Sequence, residues 1–557
     1  MSRKKHNHKY IFIIGGVMSG VGKGIAASSL GNILQAKGFG VNLIKIDPYL
    51  NVDAGTMNPV EHGEVFVLKD GLECDQDMGN YERFLNADLT KDDYITSGMV
   101  YKSVIEKERN LGYKGKCVEA IPHIRDEIIN RINKAAKRNG SDISIIEIGG
   151  TIGDYQNIMF IEAARVLNVK KQGDVLFIMM SYLPIPKKLG EMKSKPTQNA
   201  ARLLNSYGVQ PDIIIARSER PLDKKRKEKI AASCSVQEKY VISAPDIESI
   251  YDVPVNFEKD NLGDITLKLL NFDKVDKNTD FKKWKNFIKK SKKTSTSKKK
   301  INIAIVGKYF NTGDFLLSDA YISIIEALKF SSYEFEVKPI LHWLDSKEFE
   351  INKNKLKSLS KYDGILIPGG FGETGAKGKL KVIQWARENK KPYFGICYGM
   401  QLAIIEYSRN VLGMKDANTV EIEPKTKIAV INIMPDQKKK LMENNYGGTM
   451  RLGSYEARLK KGTIARRAYG KNIIEERHRH RYEVNPEYIE KLSSGGMVFS
   501  GVSLDGKLME IVELSLDKHP FFLSVQFHPE FQARPLRPHP LFTAFIEVCV
   551  KTIKNQK

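Results

Sequence analysis

A cysteine in the last third of the chain has the local sequence of a catalytic nucleophile. Cys397 lies between Gly395 and Gly399, where the apolar run Pro392–Ile396 meets a segment with helical periodicity. Small residues on both sides permit a tight strand-to-helix turn, and the N-terminus of a helix lowers the pKa of a thiol there. A buried structural cysteine is the alternative, because that is the commoner role of a lone cysteine.

Other residues supply the partners that a nucleophilic thiol needs. His528 and Glu530 follow the apolar run Phe521–Phe527, and we expect them at the end of a strand, where residues i and i+2 share one face. The histidine would accept the thiol proton and the carboxylate would orient the histidine. The glycines of Pro368–Gly372 offer backbone N–H groups to an oxyanion. Together these residues predict a Cys-His-Glu triad for acyl transfer.

A glycine-rich stretch near the N-terminus has the form of a phosphate-binding loop. Gly15–Gly24 lies between the apolar run Ile11–Ile14 and a helical pattern. Backbone N–H groups and a helix N-terminus bind phosphates, and Lys23 would reach the outer ones. Val17 and Gly24 depart from the strict motif, so an ordinary glycine-rich turn is the alternative. The strand–loop–helix context favours nucleotide binding.

The absence of a hydroxyl at Gly24 predicts that carboxylates elsewhere bind Mg²⁺, which prefers oxygen ligands. Glu147 lies in an apolar run that reads as a strand, and Asp77 follows a polar loop. Ligands of doubly wound sheets lie at the carboxyl ends of strands. We therefore expect Asp77 and Glu147 to bind the metal near Lys23 and Lys45; solvated loop carboxylates are the alternative.

Apolar runs alternate with helical patterns along most of the chain, which predicts an α/β protein with two doubly wound, mostly parallel-sheet domains. The expected divisions are a nucleotide-binding domain at 1–272, a linker at 273–300 and a second domain at 301–557. Lys282–Lys300 holds ten lysines and no acidic residue. Such a composition does not bury a core, although Trp284 and Phe287 are expected to dock locally.

Composition excludes several classes of protein. The chain has 557 residues, of which 41% are hydrophobic and 28% charged, as in soluble globular proteins. It contains no run of 18 apolar residues, so no membrane partner is expected. Five scattered cysteines favour a reducing, cytoplasmic location over a disulfide framework. The net charge of +23 suits polyanionic ligands such as nucleotides, and no nucleic-acid-binding module is recognisable.

These motifs resemble two known families. The segments Pro368–Gly372, Gly395–Gln401 and His528–Glu530 resemble the class I glutamine amidotransferases. The N-terminal half closely resembles the CTP synthase family, which also carries an amidotransferase domain, in the segments Gly15–Gly24, Lys45–Asp53, His62–Val67, Tyr81–Phe84, Glu147–Asp154 and Lys193–Gln198. The resemblance covers nearly the whole chain outside the lysine-rich linker and the two ends.

The resemblance implies an activity and its ligands. ATP would phosphorylate the 4-oxygen of UTP, and ammonia released from glutamine would pass through an internal tunnel and displace the phosphate, giving CTP. Mg²⁺ would assist the phosphoryl transfer. GTP would activate the enzyme through a lid around Gly447–Arg451, CTP would inhibit it, and the chain would form a homotetramer.

The resemblance also implies roles for individual residues. Catalysis would rest on Cys397, His528 and Glu530, and the metal would bind Asp77 and Glu147. ATP would contact Gly20, Val21, Gly22, Lys23, Gly24, Ile25 and Asp77. UTP and CTP would contact Ser19, Asp154, Tyr155, Gln156, Lys193, Ser194, Lys195, Pro196, Thr197, Gln198 and Lys229. Glutamine would contact Gly370, Tyr398, Gly399, Met400, Gln401, Glu421 and Arg481.

Three positions depart from the family pattern. Gly20 follows Ser19 where a second serine is usual, Gln156 replaces a carboxylate, and Asn418 begins an altered segment before Glu421. Two other interpretations remain open. One is a partition-type ATPase fused to an inactive amidotransferase-like domain, and the other is a structural filament protein. An intact triad favours the synthase over the first, and the filament protein would need neither Lys23 nor Cys397.

Overall fold

The computed structural model describes residues 7–138, 140–188, 190–272, 281–308, 318–434, 437 and 450–555. These residues form two compact units. The first comprises the described parts of Met1–Asp53 and Asn80–Ile288, and the second comprises those of Ala54–Gly79 and Lys289–Lys557. Residues 54–79 therefore pack with the C-terminal half of the chain although they precede most of the first unit in sequence.

The first unit is built on a seven-stranded, fully parallel sheet. Its strands, in chain order, are β1 Lys9–Gly15, β2 Val41–Asp47, β3 Tyr94–Thr96, β4 Ile143–Ile148, β5 Val175–Tyr182, β6 Ile213–Ser218 and β7 Val241–Pro245. They lie in the order β3-β2-β4-β1-β5-β6-β7. The strands are continuous apolar runs because helices cover both faces of a parallel sheet. The predicted α/β class is confirmed for this unit.

The second unit contains a nine-stranded mixed sheet and a small three-stranded sheet. The strands of the large sheet are β8 Lys300–Gly307, β9 Lys338–Asp345, β10 Gly364–Ile367, β11 Tyr393–Ile396, β12 Arg451–Leu459, β13 Ile473–His480, β14 Val498–Ser503, β15 Met509–Glu513 and β16 Phe522–Val525. Their order is β9-β8-β10-β11-β16-β15-β14-β12-β13. The first five are parallel, whereas the last four extend the sheet in antiparallel fashion.

Three shorter strands and one hairpin complete the second unit. The small sheet pairs Ala417–Thr419, Ile428–Ile433 and Tyr482–Val484. The hairpin pairs Phe66–Val67 with Glu73–Cys74 in antiparallel register. It comes from the segment 54–79, so a piece of the N-terminal half of the sequence contributes to the unit that holds Cys397.

The described α-helices connect and cover these sheets. Their bounds are Lys23–Ala36, Pro59–His62, Gln76–Leu85, Ser97–Arg109, Arg125–Arg138, Ile158–Lys170, Lys195–Ser206, Lys224–Cys234, Val253–Phe257, Leu262–Leu269, Lys282–Ser295, Ile322–Glu334, Ser346–Ile351, Lys353–Lys357, Ala376–Glu388, Tyr398–Asn410, Ile464–Tyr469, Ile489–Ser494 and Pro540–Asn555. Within the described ranges, no helix has the length and apolarity needed to cross a bilayer.

The lysine-rich segment contains one of these helices, Lys282–Ser295. Its apolar residues Trp284, Phe287 and Ile288 are buried and fall on one helical face, at i, i+3 and i+4. The indole N–H of Trp284 donates a hydrogen bond of 3.0 Å to the carbonyl of Tyr251. Trp284 and Phe287 therefore dock locally, as expected, and they do so on the apolar face of a helix. The lysines of this helix are mostly exposed.

Candidate functional site

Cys397 lies at a strained strand-to-helix bend. Strand β11 ends at Ile396 and the next helix begins at Tyr398, so only the cysteine separates them. Its backbone has φ +51° and ψ −100°, a conformation that costs a non-glycine residue on the order of 1–3 kcal/mol. A Cβ atom at Gly399 would lie 2.5 Å from the carbonyl oxygen of Ile367, so the turn requires a glycine there.

His528 is held by Glu530. The Nδ1 atom of His528 and the Oε1 atom of Glu530 are 2.7 Å apart, and both residues are buried. Burial alone lowers the pKa of His528, but the charges of Glu530 and Cys397 raise it to about 10. Its Nε2 atom is buried and has no hydrogen-bond partner within the described part of the chain. The site is therefore suited to an imidazolium that balances a thiolate.

The position of this pair corrects one expectation. Strand β16 ends at Val525, so His528 and Glu530 do not lie on the end of a strand. A 3-10 turn at Pro529–Gln532 brings them together instead. Pro529 lacks the N–H that would continue the hydrogen bonds of a strand, and its φ suits the first position of a helical turn. The alternation of residues at i and i+2 did not reveal this turn.

A cavity of about 490 Å³ within the second unit brings many of the predicted residues together. Its lining includes the predicted triad and, from the predicted glutamine set, Gly370 and Arg481. The lining also includes residues that sequence reasoning did not assign to this site, among them Gly55, Thr56, Met57, Glu64, Tyr321, Phe371 and Arg479. Several of these come from the segment 54–79.

Two other predicted glutamine contacts hold the glycine turn beside the cavity. The N–H of Gly372 donates a 2.7 Å hydrogen bond to Glu421, and the hydroxyl of Tyr398 donates one of 2.7 Å to the carbonyl of Gly372. Burial raises the pKa of Glu421. Lys308 also donates to the carbonyl of Phe371. These contacts fix the backbone from which Gly370 would donate to an oxyanion.

A buried lysine near this turn was missed. A Cβ atom on Gly370 would lie 3.9 Å from Nζ of Lys379, which also lies 5.1 Å from the centre of the Tyr398 ring. Burial, followed by the nearby charge of Lys308, lowers the pKa of Lys379 to about 7. In the sequence, the one signal for Lys379 is its position in the first turn of the helix that follows the glycine turn.

The remaining predicted glutamine residues begin the helix behind Cys397. Gly399, Met400 and Gln401 are buried in its first turn and do not line the cavity. The side-chain amide of Gln401 donates to the carbonyl of Tyr482 at 3.1 Å. Their contact with glutamine stays a prediction.

In the first unit, the glycine-rich stretch connects β1 to the helix Lys23–Ala36. Gly20 and Gly22 have φ of +69° and +89°, values that favour glycine. Residues 17–20 are exposed, whereas Lys23 is buried and its Nζ lies 2.5 Å from the carbonyl oxygen of Gly150. The loops after β1 and β4 therefore meet at the carboxyl edge of the sheet, the usual place for a ligand.

Charged residues of β2 and β4 meet at the same edge. Nζ of Lys45 lies 2.9 Å from Glu147 and 3.6 Å from Asp47, and the hydroxyl of Tyr81 donates to Glu147. Carboxylate oxygens suit Mg²⁺, and an ionised carboxylate keeps further lone pairs after two hydrogen bonds, so Glu147 fits the predicted metal. Asp77 belongs to the second unit, and its pairing with Glu147 stays a prediction.

The described residues contain no group of three or more His, Cys, Asp or Glu side chains placed to hold a metal ion. A Mg²⁺ site with one or two protein carboxylates, completed by phosphates and water, needs no such group.

The residues predicted to contact UTP lie in four places of the first unit. Asp154 accepts a 2.6 Å hydrogen bond from the N–H of Thr151 and so closes the turn after β4. The neighbouring Tyr155 is 88% exposed. Ser19 is exposed in the glycine loop, and Lys229 is exposed on the helix Lys224–Cys234.

The fourth place is the N-terminus of the helix Lys195–Ser206. Thr197 and Ser181 share a 2.8 Å hydrogen bond, and the amide of Gln198 donates to Ser194. Lys193 lies 2.6 Å from the exposed carboxylate of Glu191. A helix N-terminus with flanking lysines is a suitable anion site.

A second cavity, of about 170 Å³, was not predicted. It lies in the first unit beside the glycine loop and is mostly apolar, with Val21, Ile25, Met180, Pro245 and Phe257 among its lining residues. Arg217 closes one side by donating to the carbonyl of Gly20. The apolar character next to a phosphate loop suits a nucleotide base.

The lid that the resemblance implies lies largely outside the described residues. Gly447, Gly448 and Thr449 are not described, whereas Met450 lines the larger cavity and Arg451 begins β12.

Comparison with known proteins assigns both halves of the chain. A family model described as "CTP synthase N-terminus" matches residues 9–272, and one described as "Glutamine amidotransferase class-I" matches residues 316–548. A curated CTP synthase of Pyrococcus furiosus is 48% identical over 551 residues, 99% of each chain. One of Carboxydothermus hydrogenoformans is 48% identical over 547 residues, 98% of this chain and 99% of the relative.

Among solved structures, this chain is similar to the glutaminase domain of Trypanosoma brucei CTPS with bound acivicin. It is 37% identical, with a TM-score of 0.42, and the alignment covers 45% of this chain and 94% of that chain.

Proposed function

The chain belongs to the CTP synthase family, and from that premise we propose a division of labour between its two candidate sites. Members of this family are ligases that form a C–N bond, with ATP, UTP and glutamine as substrates. We propose that the Cys397 site releases ammonia from glutamine and that the glycine-loop site activates UTP. One observation carries the proposal. A single chain contains both the cavity lined by Cys397, His528 and Glu530 and the glycine-rich loop that ends at Lys23.

At the first site, the Cys397 thiolate attacks the amide carbon of glutamine while the His528 imidazolium stands ready as the acid. The N–H groups of the glycine turn stabilise the developing oxyanion. His528 then protonates the amide nitrogen, the C–N bond breaks and neutral ammonia leaves, so that a glutamyl thioester remains on Cys397. Water hydrolyses the thioester with His528 as base, and Glu530 keeps the ring oriented throughout.

At the second site, the backbone of the glycine loop and Lys23 bind the phosphates of ATP, and the apolar cavity beside the loop takes the adenine base. The 4-oxygen of UTP attacks the γ-phosphorus, the bond to the β-phosphate oxygen breaks and ADP leaves. Ammonia then adds at C4 and the phosphate leaves, which gives CTP. Asp77 and Glu147 would hold Mg²⁺, which would supply charge stabilisation for this transfer.

UTP would lie against the N-terminus of the helix Lys195–Ser206, with Lys193, Asp154 and Ser19 as contacts. Neutral ammonia has to stay out of bulk water to remain a nucleophile, so an enclosed tunnel between the sites is part of the proposal. The proposal also includes activation by GTP, inhibition by CTP and a homotetramer. It divides the chain into domains at 1–272 and 301–557 with a linker between them.

The test is CTP formation by the purified full chain. We expect CTP from UTP, ATP and Mg²⁺ with either glutamine or ammonium chloride, and ATP turnover that depends on UTP. The partition-type ATPase would turn over ATP without UTP and form no CTP, and that result would end the synthase proposal.

A further inference from the structure

The hairpin Phe66–Cys74 belongs to the N-terminal half of the sequence, yet it packs against β13, the strand whose main chain contacts Cys397 and His528. Two arginines of β13, Arg477 and Arg479, contact it two residues apart. In a strand, residues i and i+2 point to the same side, so one face of β13 meets the hairpin. This contact lies within the second unit.

Arg477 connects the hairpin to His528. Its guanidinium donates a 3.0 Å hydrogen bond to the carbonyl of Val67 and lies 5.6 Å from the centre of the Phe66 ring. Its own carbonyl accepts a 2.7 Å hydrogen bond from the N–H of His528. The side chain therefore faces the hairpin while the main chain holds the catalytic histidine.

Arg479 makes the equivalent connection to Cys397. Its Nε donates a 2.8 Å hydrogen bond to Oε1 of Glu73, and its guanidinium lies 5.6 Å from the centre of the Phe371 ring. The Sγ atom of Cys397 lies 3.8 Å from the carbonyl oxygen of Arg479. Phe371 follows Gly370 in the glycine turn, so the guanidinium contacts the hairpin on one side and the wall of the cavity on the other.

The Glu73–Arg479 ion pair is largely buried, so the loss of either partner is expected to disturb the site. The side chain of Glu73 is 1% exposed and that of Arg479 is 15% exposed. The Oε2 atom of Glu73 is buried and makes no hydrogen bond to any described residue, so Arg479 is the charged partner that the structure gives this carboxylate. Removing one member of a buried pair leaves an uncompensated charge, whereas exposed pairs contribute little.

We propose that Glu73 is a positioning residue of the glutaminase site, acting through Arg479 on Phe371 and on the backbone beside Cys397. This inference rests on the proposed function. It means that the amidotransferase sequence from 301 onward is incomplete as a catalytic unit, because the hairpin completes the support of its reacting groups. Paired with Glu73, Arg479 supports the wall of the cavity.

The experiment compares Glu73→Gln with wild type in the full chain. We expect kcat for glutamine hydrolysis to fall on the order of 10- to 100-fold with little change in KM, because a small displacement of reacting groups has that cost. The rate of Cys397 alkylation by iodoacetamide, measured across pH, should change as well. CTP formation from ammonium chloride should stay at the wild-type level.

A matched control lies on the same hairpin. Lys69 forms an ion pair of 3.0 Å with Glu475, and the two side chains are 46% and 44% exposed. Lys69→Ala should change glutamine hydrolysis by less than about twofold, because exposed pairs contribute little. Glu73→Asp keeps the charge on a shorter side chain and should retain more kcat than Glu73→Gln.

Three results would overturn the proposal. They are wild-type glutamine hydrolysis in Glu73→Gln, a rise in KM with kcat unchanged, or an equal loss of ammonia-dependent synthesis in a variant that unfolds at the wild-type temperature. If Glu73→Gln unfolds at a lower temperature than wild type, the test rests on Glu73→Asp. A stable Glu73→Asp variant whose kcat is no higher than that of Glu73→Gln would also count against the proposal. Failure of the proposed function is distinct, because wild type itself would then make no CTP.

Discussion

The two strand-to-helix junctions of this protein place backbone strain on different residues. In the first unit, the positive φ angles fall on Gly20 and Gly22, and Lys23 begins its helix with ordinary backbone. In the second unit, the positive φ falls on Cys397 itself, between a strand and a helix with no loop. Glycine adopts such angles without steric cost, whereas a cysteine does not.

Exposure differs in the same way. The loop before Lys23 is open at residues 17–20, whereas Cys397 is 2% exposed. A phosphate site has to admit a large anion and bind it with many backbone N–H groups, so an open glycine loop suits it. The bend at Cys397 has to aim one side chain into a cavity, so the strain is concentrated on that residue. The first junction is therefore suited to binding through its backbone, and the second to reaction through one side chain.

The largest expected effect is at the strand-to-helix bend of Cys397. Cys397→Ser should reduce glutamine-dependent CTP synthesis at least about 10⁴-fold, because a serine hydroxyl is not ionised near neutral pH and nucleophile replacement removes the covalent step. Synthesis from ammonium chloride should be unchanged. The measurement is CTP formation with each nitrogen source at fixed pH. Retained glutamine activity, or loss of both activities in a folded variant, would contradict the division between the two junctions.

Lys23→Ala should have the converse pattern. Synthesis from both nitrogen sources should fall about 10²- to 10³-fold, since one charged donor to the transferring phosphate is lost, while glutamine hydrolysis persists. Lys224→Ala is the control, because Lys224 is exposed with a 79% accessible side chain. Full ammonia-dependent synthesis in Lys23→Ala would remove the nucleotide role of the glycine loop.

Glu147→Gln and Asp77→Asn sharpen the metal assignment. Each should lower CTP formation roughly 10²-fold at limiting Mg²⁺, with partial recovery at high Mg²⁺, because a neutral amide is a weaker ligand than a carboxylate. Glutamine hydrolysis should remain. Titration of activity against Mg²⁺ concentration tests this, and wild-type rates at limiting Mg²⁺ in both variants would exclude these residues as ligands.

The smallest expected effect is at the residue that orients the base. Burial lowers the pKa of His528, while Glu530 and Cys397 together raise it to about 10, so the imidazolium is present below that pH and is lost as pH rises through it. Glu530→Ala removes one raising charge and should move the alkaline limb of the glutamine-hydrolysis profile to lower pH. The loss of kcat should be on the order of 10-fold. An unshifted alkaline limb would show that Glu530 does not set the pKa of His528.

Local sequence was sufficient for both junctions. Apolar runs, glycines and a reactive residue at the bend are contiguous, so the positions of Lys23 and Cys397 follow from short-range rules about strands, turns and helix starts. The α/β class and the parallel strands follow from the same alternation. The lysine-rich segment was less predictable, because its helix depends on burying Trp284 against Tyr251, a contact between residues 33 positions apart.

Tertiary structure alone decided what surrounds the reacting groups. No local pattern shows that the hairpin Phe66–Cys74 joins the unit of Cys397, because Glu73 and Arg479 are 406 positions apart. The depressed pKa of Lys379 has the same origin, since burial in a folded core creates it. A sequence determines residue types and short-range turns, whereas ion pairs, burial and cavity walls arise only when distant segments pack.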